Sequence, residues 1–217
     1  TSSRPIPESV LIKAQMLEFE SASVNTLLTM ASNQDQFHLV SLKAVGSGYP
    51  LQGEVEIKNH ENTFFLKHGP PAGTIWVEQG LQSALNIKLN DEIKIGNAQF
   101  KVTHFLENEP DAANTFYFIA PRVMMALEDL SKTQIVQAGS RITYELWLSG
   151  NEKNLKAFRK WQIALNDPDL TLDSVSEGRS PIQRFLGYAQ SYLGLILILI
   201  VVLAGLSLSL CARFWVK

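Results

Sequence analysis

The residues in this sequence best equipped for chemistry are its four histidines, His38, His60, His68 and His104. Imidazole titrates near neutrality and ligates metals. No two of the four have the spacing that places a ligand pair on one helix face, and no His-Glu-x-x-His pattern occurs. His60 and His68 share a loop-like stretch with Glu61, where histidines are ordinarily solvated. His104 stands two residues after Val102, which predicts a hydrogen-bonded histidine on the inward face of a strand. Glu107, Glu109 and Asp111 could offer oxygens to calcium, but the glycine and the ligand spacing of a calcium loop are missing. They read as a solvated acidic loop. Gly139-Ser140-Arg141 is not a nucleophile elbow, because the second glycine of that motif is absent. No phosphate loop or dinucleotide fingerprint occurs. Phe64, Phe65 and Trp76 could line an apolar groove, although their strand spacing reads as core. The residues therefore give no catalytic, cofactor or metal site, and any nucleotide would bind on another chain.

Composition narrows the classes further. The chain has 217 residues and a net charge of −2. It shows no basic stripe of the kind a nucleic-acid binder needs. Its one cysteine, Cys211, rules out an intrachain disulfide and a multi-cysteine metal site. The part before the apolar tail has no cysteine, which fits an extracytoplasmic compartment.

The tail carries the strongest signal. From Phe185 to Ala212 there is no Asp, Glu, Lys or Arg. A bilayer core requires about 20 apolar residues of helix, and residues 192–211 are predicted to supply them. Ser180 can cap the preceding helix, and Pro181 fits its first turn. Pro181, Gln183 and Arg184 then belong to a polar stalk over 179–191 that continues into the span. Tyr188, Tyr192 and Trp215 are placed for the two membrane interfaces. Gly205, Ser209 and Ala212 fall at i, i+4 and i+7, where small residues let another helix approach. Residues 212–217 would begin the cytoplasmic side. Charge does not orient the span, since Arg179 and Arg184 before it balance Arg213 and Lys217 after it.

Residues 1–178 are read as one α+β domain. Helices are predicted at 8–17, 79–86, 122–130 and after a capping Asn151, where Leu155, Phe158, Trp161 and Leu165 form a stripe. Strands are predicted at 18–30, 37–45, 52–58, 74–77, 93–95, 99–106, 115–119, 141–148 and 170–175. In the second of these, Val40, Leu42 and Ala44 face one way, and Leu39, Ser41 and Lys43 the other. Gly96-Asn97 is a hairpin turn, and 59–73 is a loop around Gly69-Pro70-Pro71. Residues 46–120 are expected to form a β-rich subdomain inside a mixed α/β unit built from both ends of the chain.

A set of strings in a fixed order carries a family resemblance. It comprises Leu42 to Val45 with Gly48-Tyr49-Pro50-Leu51-Gln52-Gly53, then Leu85 to Gly96, and Glu109-Pro110-Asp111. Ala120 to Met125, Glu128-Asp129-Leu130, Gln137 to Arg141 and the closing Ala212-Arg213 follow. Together they resemble the first periplasmic domain and following transmembrane helix of YbbP-type permeases, within the FtsX-like, MacB/LolC-type family of ABC transporter permeases. The departures are turn positions: Gly46-Ser47-Gly48, Asn90-Asp91 and Ala138. The resemblance implies a MacB-type periplasmic core domain in the bacterial inner membrane. It implies a non-catalytic permease subunit with no cofactor of its own, beside a cytoplasmic ATPase that binds ATP and Mg. It further implies mechanotransmission to the periplasm, lipid-like or hydrophobic substrates, a periplasmic lipase or thioesterase as partner, and an upstream span and strand. The competing reading is a membrane-tethered sensor or ligand-binding domain.

Overall fold

The computed structural model describes residues 1–34, 36–59, 62–111, 120–137, 139–173 and 204–205. The chain divides into Thr1–Leu172 and Asp173–Lys217. In the second unit only Asp173, Ala204 and Gly205 are described, the last two as exposed helical residues. The predicted stalk, span and interface residues Pro181, Gln183, Arg184, Tyr188, Tyr192, Ser209, Ala212 and Trp215 lie outside the described residues. Among the described residues no helix is long and apolar enough to cross a membrane.

The first unit runs α1 (Glu8–Met16), β1 (Glu20–Asn33), β2 (Gln36–Val45), β3 (Val55–Asn59), β4 (Asn62–Leu66), β5 (Thr74–Glu78) and α2 (Gln79–Leu85). It continues through β6 (Glu92–Ile95), β7 (Ala98–Asn108), β8 (Arg122–Ala126), a 3-10 turn over Leu127–Asp129, α3 (Leu130–Thr133), β9 (Ile142–Ser149) and α4 (Glu152–Leu165). Helices and strands are mixed without regular alternation, which is the α+β class read from the sequence.

One nine-stranded sheet holds these strands, in the order β4-β3-β7-β5-β8-β2-β1-β6, with β9 added on β1. Because β6 pairs with β7 as well as with β1, the path β6-β7-β5-β8-β2-β1 closes on itself. The closing seam is short, Ala31 opposite Ile95 and Ser32 opposite Lys94. Closure removes sheet edges that would otherwise need protection. Its interior is filled by Val40, Leu42 and Ala44 of β2, with Ile75, Ile93, Phe100, Val102 and Val123 from the facing strands. The inward period of β2 is thus as predicted. The predicted β-rich subdomain, 46–120, supplies β3 to β7; β5 pairs with β8 and β6 with β1, both from outside it, while β3, β4 and β7 pair within it.

Gly96 makes the β6–β7 turn at φ +58°, and a Cβ there would lie 2.2 Å from the Thr133 carbonyl oxygen. Only glycine tolerates that backbone and that approach. A second cluster, with Val24, Tyr49, Ile57, Trp76, Leu106 and Met124, packs on the outer face of the sheet. A third joins Val10 and Ala14 of α1 to Phe158 of α4, where the Phe19 and Phe158 rings meet edge to face at 5.7 Å.

Several local readings are corrected. Residues 122–126 are a strand, not the start of a helix, because β8 lies between β2 and β5 and all five residues are buried. Asn62–Leu66 is strand β4 instead of loop. Asn151 makes no side-chain cap; its carbonyl accepts from Leu155 N at 3.0 Å. Of the α4 stripe only Phe158 is buried, while Leu155 and Leu165 are each 40% exposed. Residues 170–173 form no strand, although Thr171 and Thr1 exchange backbone bonds at the chain start. The strand expected at 115–119 lies outside the described residues.

Candidate functional site

A buried cluster of charged groups lies at one end of β7. Lys43 points from β2 to the face opposite the barrel interior, and its ammonium donates to Glu109 Oε2 at 2.5 Å, to Tyr49 Oη at 3.0 Å and to Asp111. Tyr49 Oη donates to Asp111 Oδ1 at 2.8 Å. The ammonium also lies 4.6 Å from the Tyr49 ring centre and 5.4 Å from that of Trp147, so two aromatic faces complete its cage. Arg122, at the start of β8, donates from Nη1 to Glu109 Oε1 at 3.2 Å and from Nε to Glu78 Oε2 at 3.1 Å. Its backbone N–H also donates to Glu78 Oε2, at 2.8 Å. Lys43 and Glu109 are 4% and 3% exposed, so these charges are held out of water and survive there by mutual pairing. The expected solvated acidic loop is therefore corrected: Glu109 is a buried ion-pair partner of Lys43 and Arg122. The described residues contain no group of three or more metal-ligating side chains.

A cleft opens beside this cluster, between α2 and the β3–β7 pair. It holds about 270 Å³ and is lined by Lys58, Phe105, Glu107, Gln79 and Gln82. Lys58 stands opposite Phe105 in the antiparallel register. The register then shifts, Ile57 facing Leu106 and Glu56 facing Asn108, so Glu107 is the extra residue of a bulge. Bulges re-aim a side chain where pairing is interrupted. Gln79 and Gln82 share a face of α2 at i and i+3, while Leu81 and Leu85 are buried. The ion-pair cluster positions both walls. Arg122 holds the Glu107 carbonyl through Nη2 at 3.4 Å, and holds Glu78, the residue before α2, through its carboxylate.

Among the described residues, the other polar positions singled out in the sequence do not join this cluster. β7 has a second bulge against β5, Ile75 facing Val102 and Trp76 facing His104. It turns His104 out of the barrel interior that Val102 occupies. The expected hydrogen-bonded core histidine is corrected: His104 Nδ1 has no hydrogen-bond partner, and the ring stands edge-on to Trp76 at 5.9 Å and Phe64 at 6.3 Å. Burial, and then the nearby charge of His68, lower the His104 pKa below 6.5. His68 Nδ1 bonds the Gly69 carbonyl oxygen at 2.7 Å, while His60 and Glu61 lie outside the described residues. Ser140 Oγ is tied into a turn by the Ile135 carbonyl and Gln137 N–H. Trp76 is core, but Phe64 and Phe65 are 42% and 60% exposed, which corrects their reading as core. Leu28, Met30, Phe37 and Leu39 add a second exposed apolar face, around an open groove of about 570 Å³ with Lys94 at its side.

The fold is a mixed sheet closed into a barrel, with a buried ion-pair cluster on its outer face. Sequence comparison names a relative. The chain is 32% identical over 203 residues to the uncharacterized ABC transporter permease YbbP of Escherichia coli strain K12. That alignment covers 94% of this chain and 24% of the permease, so the chain is homologous to it and spans about a quarter of its length. No protein-family model matches. Among solved structures, the extracellular domain of the ABC-type transporter YknZ from Gram-positive bacteria aligns with TM-score 0.48 and 10% identity, over 77% of this chain and 94% of that one. The periplasmic region of MacB from Actinobacillus actinomycetemcomitans aligns with TM-score 0.47 and 13% identity, over 73% and 75%.

Proposed function

We propose that this chain is an extracytoplasmic domain of an ABC transporter permease in the bacterial inner membrane, moved by ATP hydrolysis on a separate cytoplasmic subunit. The observation that carries the reading is the homology to YbbP across 94% of the chain. The polar stretch over 179–191 followed by residues 192–211 without a charged side chain supports it, since a helix continuous with a span transmits displacement as a stiff lever. Cargo would be lipid-like or hydrophobic, handed between the membrane and a periplasmic lipase-like partner. The domain itself would do no covalent chemistry, with ATP and Mg held by the partner ATPase.

The test uses the full-length permease with its ATPase in a lipid bilayer. ATP turnover is measured beside the ATP-dependent signal of a fluorophore at Lys153, an exposed residue of α4. Arg184→Pro is expected to keep turnover and abolish the fluorescence change. Unchanged coupling in the folded proline variant removes the lever. A second reading, a tethered ligand-binding sensor, is favoured by the charged cleft beside α2. The two part at the residues after Lys217: further spans for a permease, a signalling helix for a sensor.

A further inference from the structure

We propose that the cleft between α2 and the β3–β7 pair binds a small zwitterion, a free amino acid or dipeptide. The cleft offers opposite charges that no described residue uses. Among the described residues, neither the Lys58 ammonium nor the Glu107 carboxylate has a hydrogen bond or ion pair, although both line the same cleft. This contrasts with Lys43 and Glu109, whose charges are consumed by each other and by Arg122 and Asp111. An unpaired ammonium and an unpaired carboxylate on facing strands complement a ligand that carries one charge of each sign a few bonds apart.

The other lining groups fit the same ligand. Gln79 and Gln82 present carboxamides, which donate and accept and so suit an α-amino or peptide group. Phe105, 8% exposed, makes an apolar floor. The volume of about 270 Å³ has room for a molecule of amino-acid or dipeptide size. Preorganisation is built in. Glu107 is aimed by the bulge, its backbone is held by Arg122, and α2 is held at Glu78 by the same guanidinium. The ligand's carboxylate meets Lys58 and its ammonium meets Glu107.

The experiment is titration of the complete chain, followed by calorimetry and by ligand-observed NMR. The probes are glycine, leucine, glycyl-leucine and leucyl-glycine, each beside its N-acetylated and C-amidated forms. The expected result is saturable binding of at least one zwitterion. Blocking either of that ligand's charges, or substituting Lys58→Met or Glu107→Gln, weakens binding about tenfold or more, the loss of one charged contact. The free amino acids and the dipeptides separate the two ligand sources. Because the blocked ligands test the charges on the unmodified protein, the result does not depend on how well the variants fold. No zwitterion binding with Kd below about 10 mM overturns the proposal. So does binding that the blocked forms or both variants leave unchanged. None of these outcomes bears on whether ATP hydrolysis moves the domain.

Discussion

Glu107 and Glu109 stand two residues apart at the end of β7, and their carboxylates meet different surroundings. Glu109 lies in a dry pocket between Lys43 and Arg122. Glu107, turned aside by a bulge, reaches an open cleft that Lys58 also lines, and its carboxylate has no partner among the described residues. The same chemistry is thus used once to fasten strands and once, next door, left available. Burial decides which. In the dry pocket a charge must be paired, because desolvation costs several kcal/mol. In the wet cleft water satisfies the charge until a ligand replaces it.

The largest expected effect tests the buried half of this comparison. Glu109→Gln leaves the Lys43 and Arg122 charges short of a counter-ion inside the protein, and should cost about 3–5 kcal/mol in urea unfolding. Glu78→Gln should cost less, about 1 kcal/mol, because Glu78 is one-third exposed and water screens its pairing with Arg122. A smaller effect belongs to His104. Its folded pKa lies below the ordinary 6.5, so between the two values the unfolded chain binds more protons. The stability from neutral His104 is complete above about pH 6.5 and declines as pH falls toward the folded value. Thermal midpoints should therefore drop more steeply below pH 6.5 in the native chain than in His104→Gln. The smallest effect tests the open half. Lys58→Met and Glu107→Gln should each change stability by less than about 0.5 kcal/mol. A cost there as large as that of Glu109→Gln would erase the distinction between the two carboxylates.

Much of the fold was legible where one face of a strand meets core and the other meets water. Alternation placed Val40, Leu42 and Ala44 inward, and Gly96-Asn97 marked its turn. Alternation fails where both faces are covered. Arg122 to Ala126 is buried throughout, so no period of two distinguishes it from a helix. The ion-pair cluster was hidden for the same reason. Lys43 reads as the polar side of β2, yet that side is also covered, and Ser41 and Lys43 are both buried. A lysine among Leu42, Ala44 and Val45, with an acidic run and an Arg-Val-Met-Met run later in the chain, was the available signal. Its meaning required knowing that β2 and β8 are neighbours, a parallel pairing between segments some 80 residues apart. The two bulges of β7 are likewise absent from the local pattern, and they re-aim His104 and Glu107.

Placement of this domain outside the cytoplasm is the claim from which the proposed lever follows. A single-cysteine form of the full-length protein, with every native cysteine (Cys211 among them) changed to Ser and with Lys153→Cys, tests it in spheroplasts with a membrane-impermeant maleimide. Labelling of intact spheroplasts at the rate seen after lysis is the predicted result. Labelling only after lysis would put the domain on the cytoplasmic side and contradict the account.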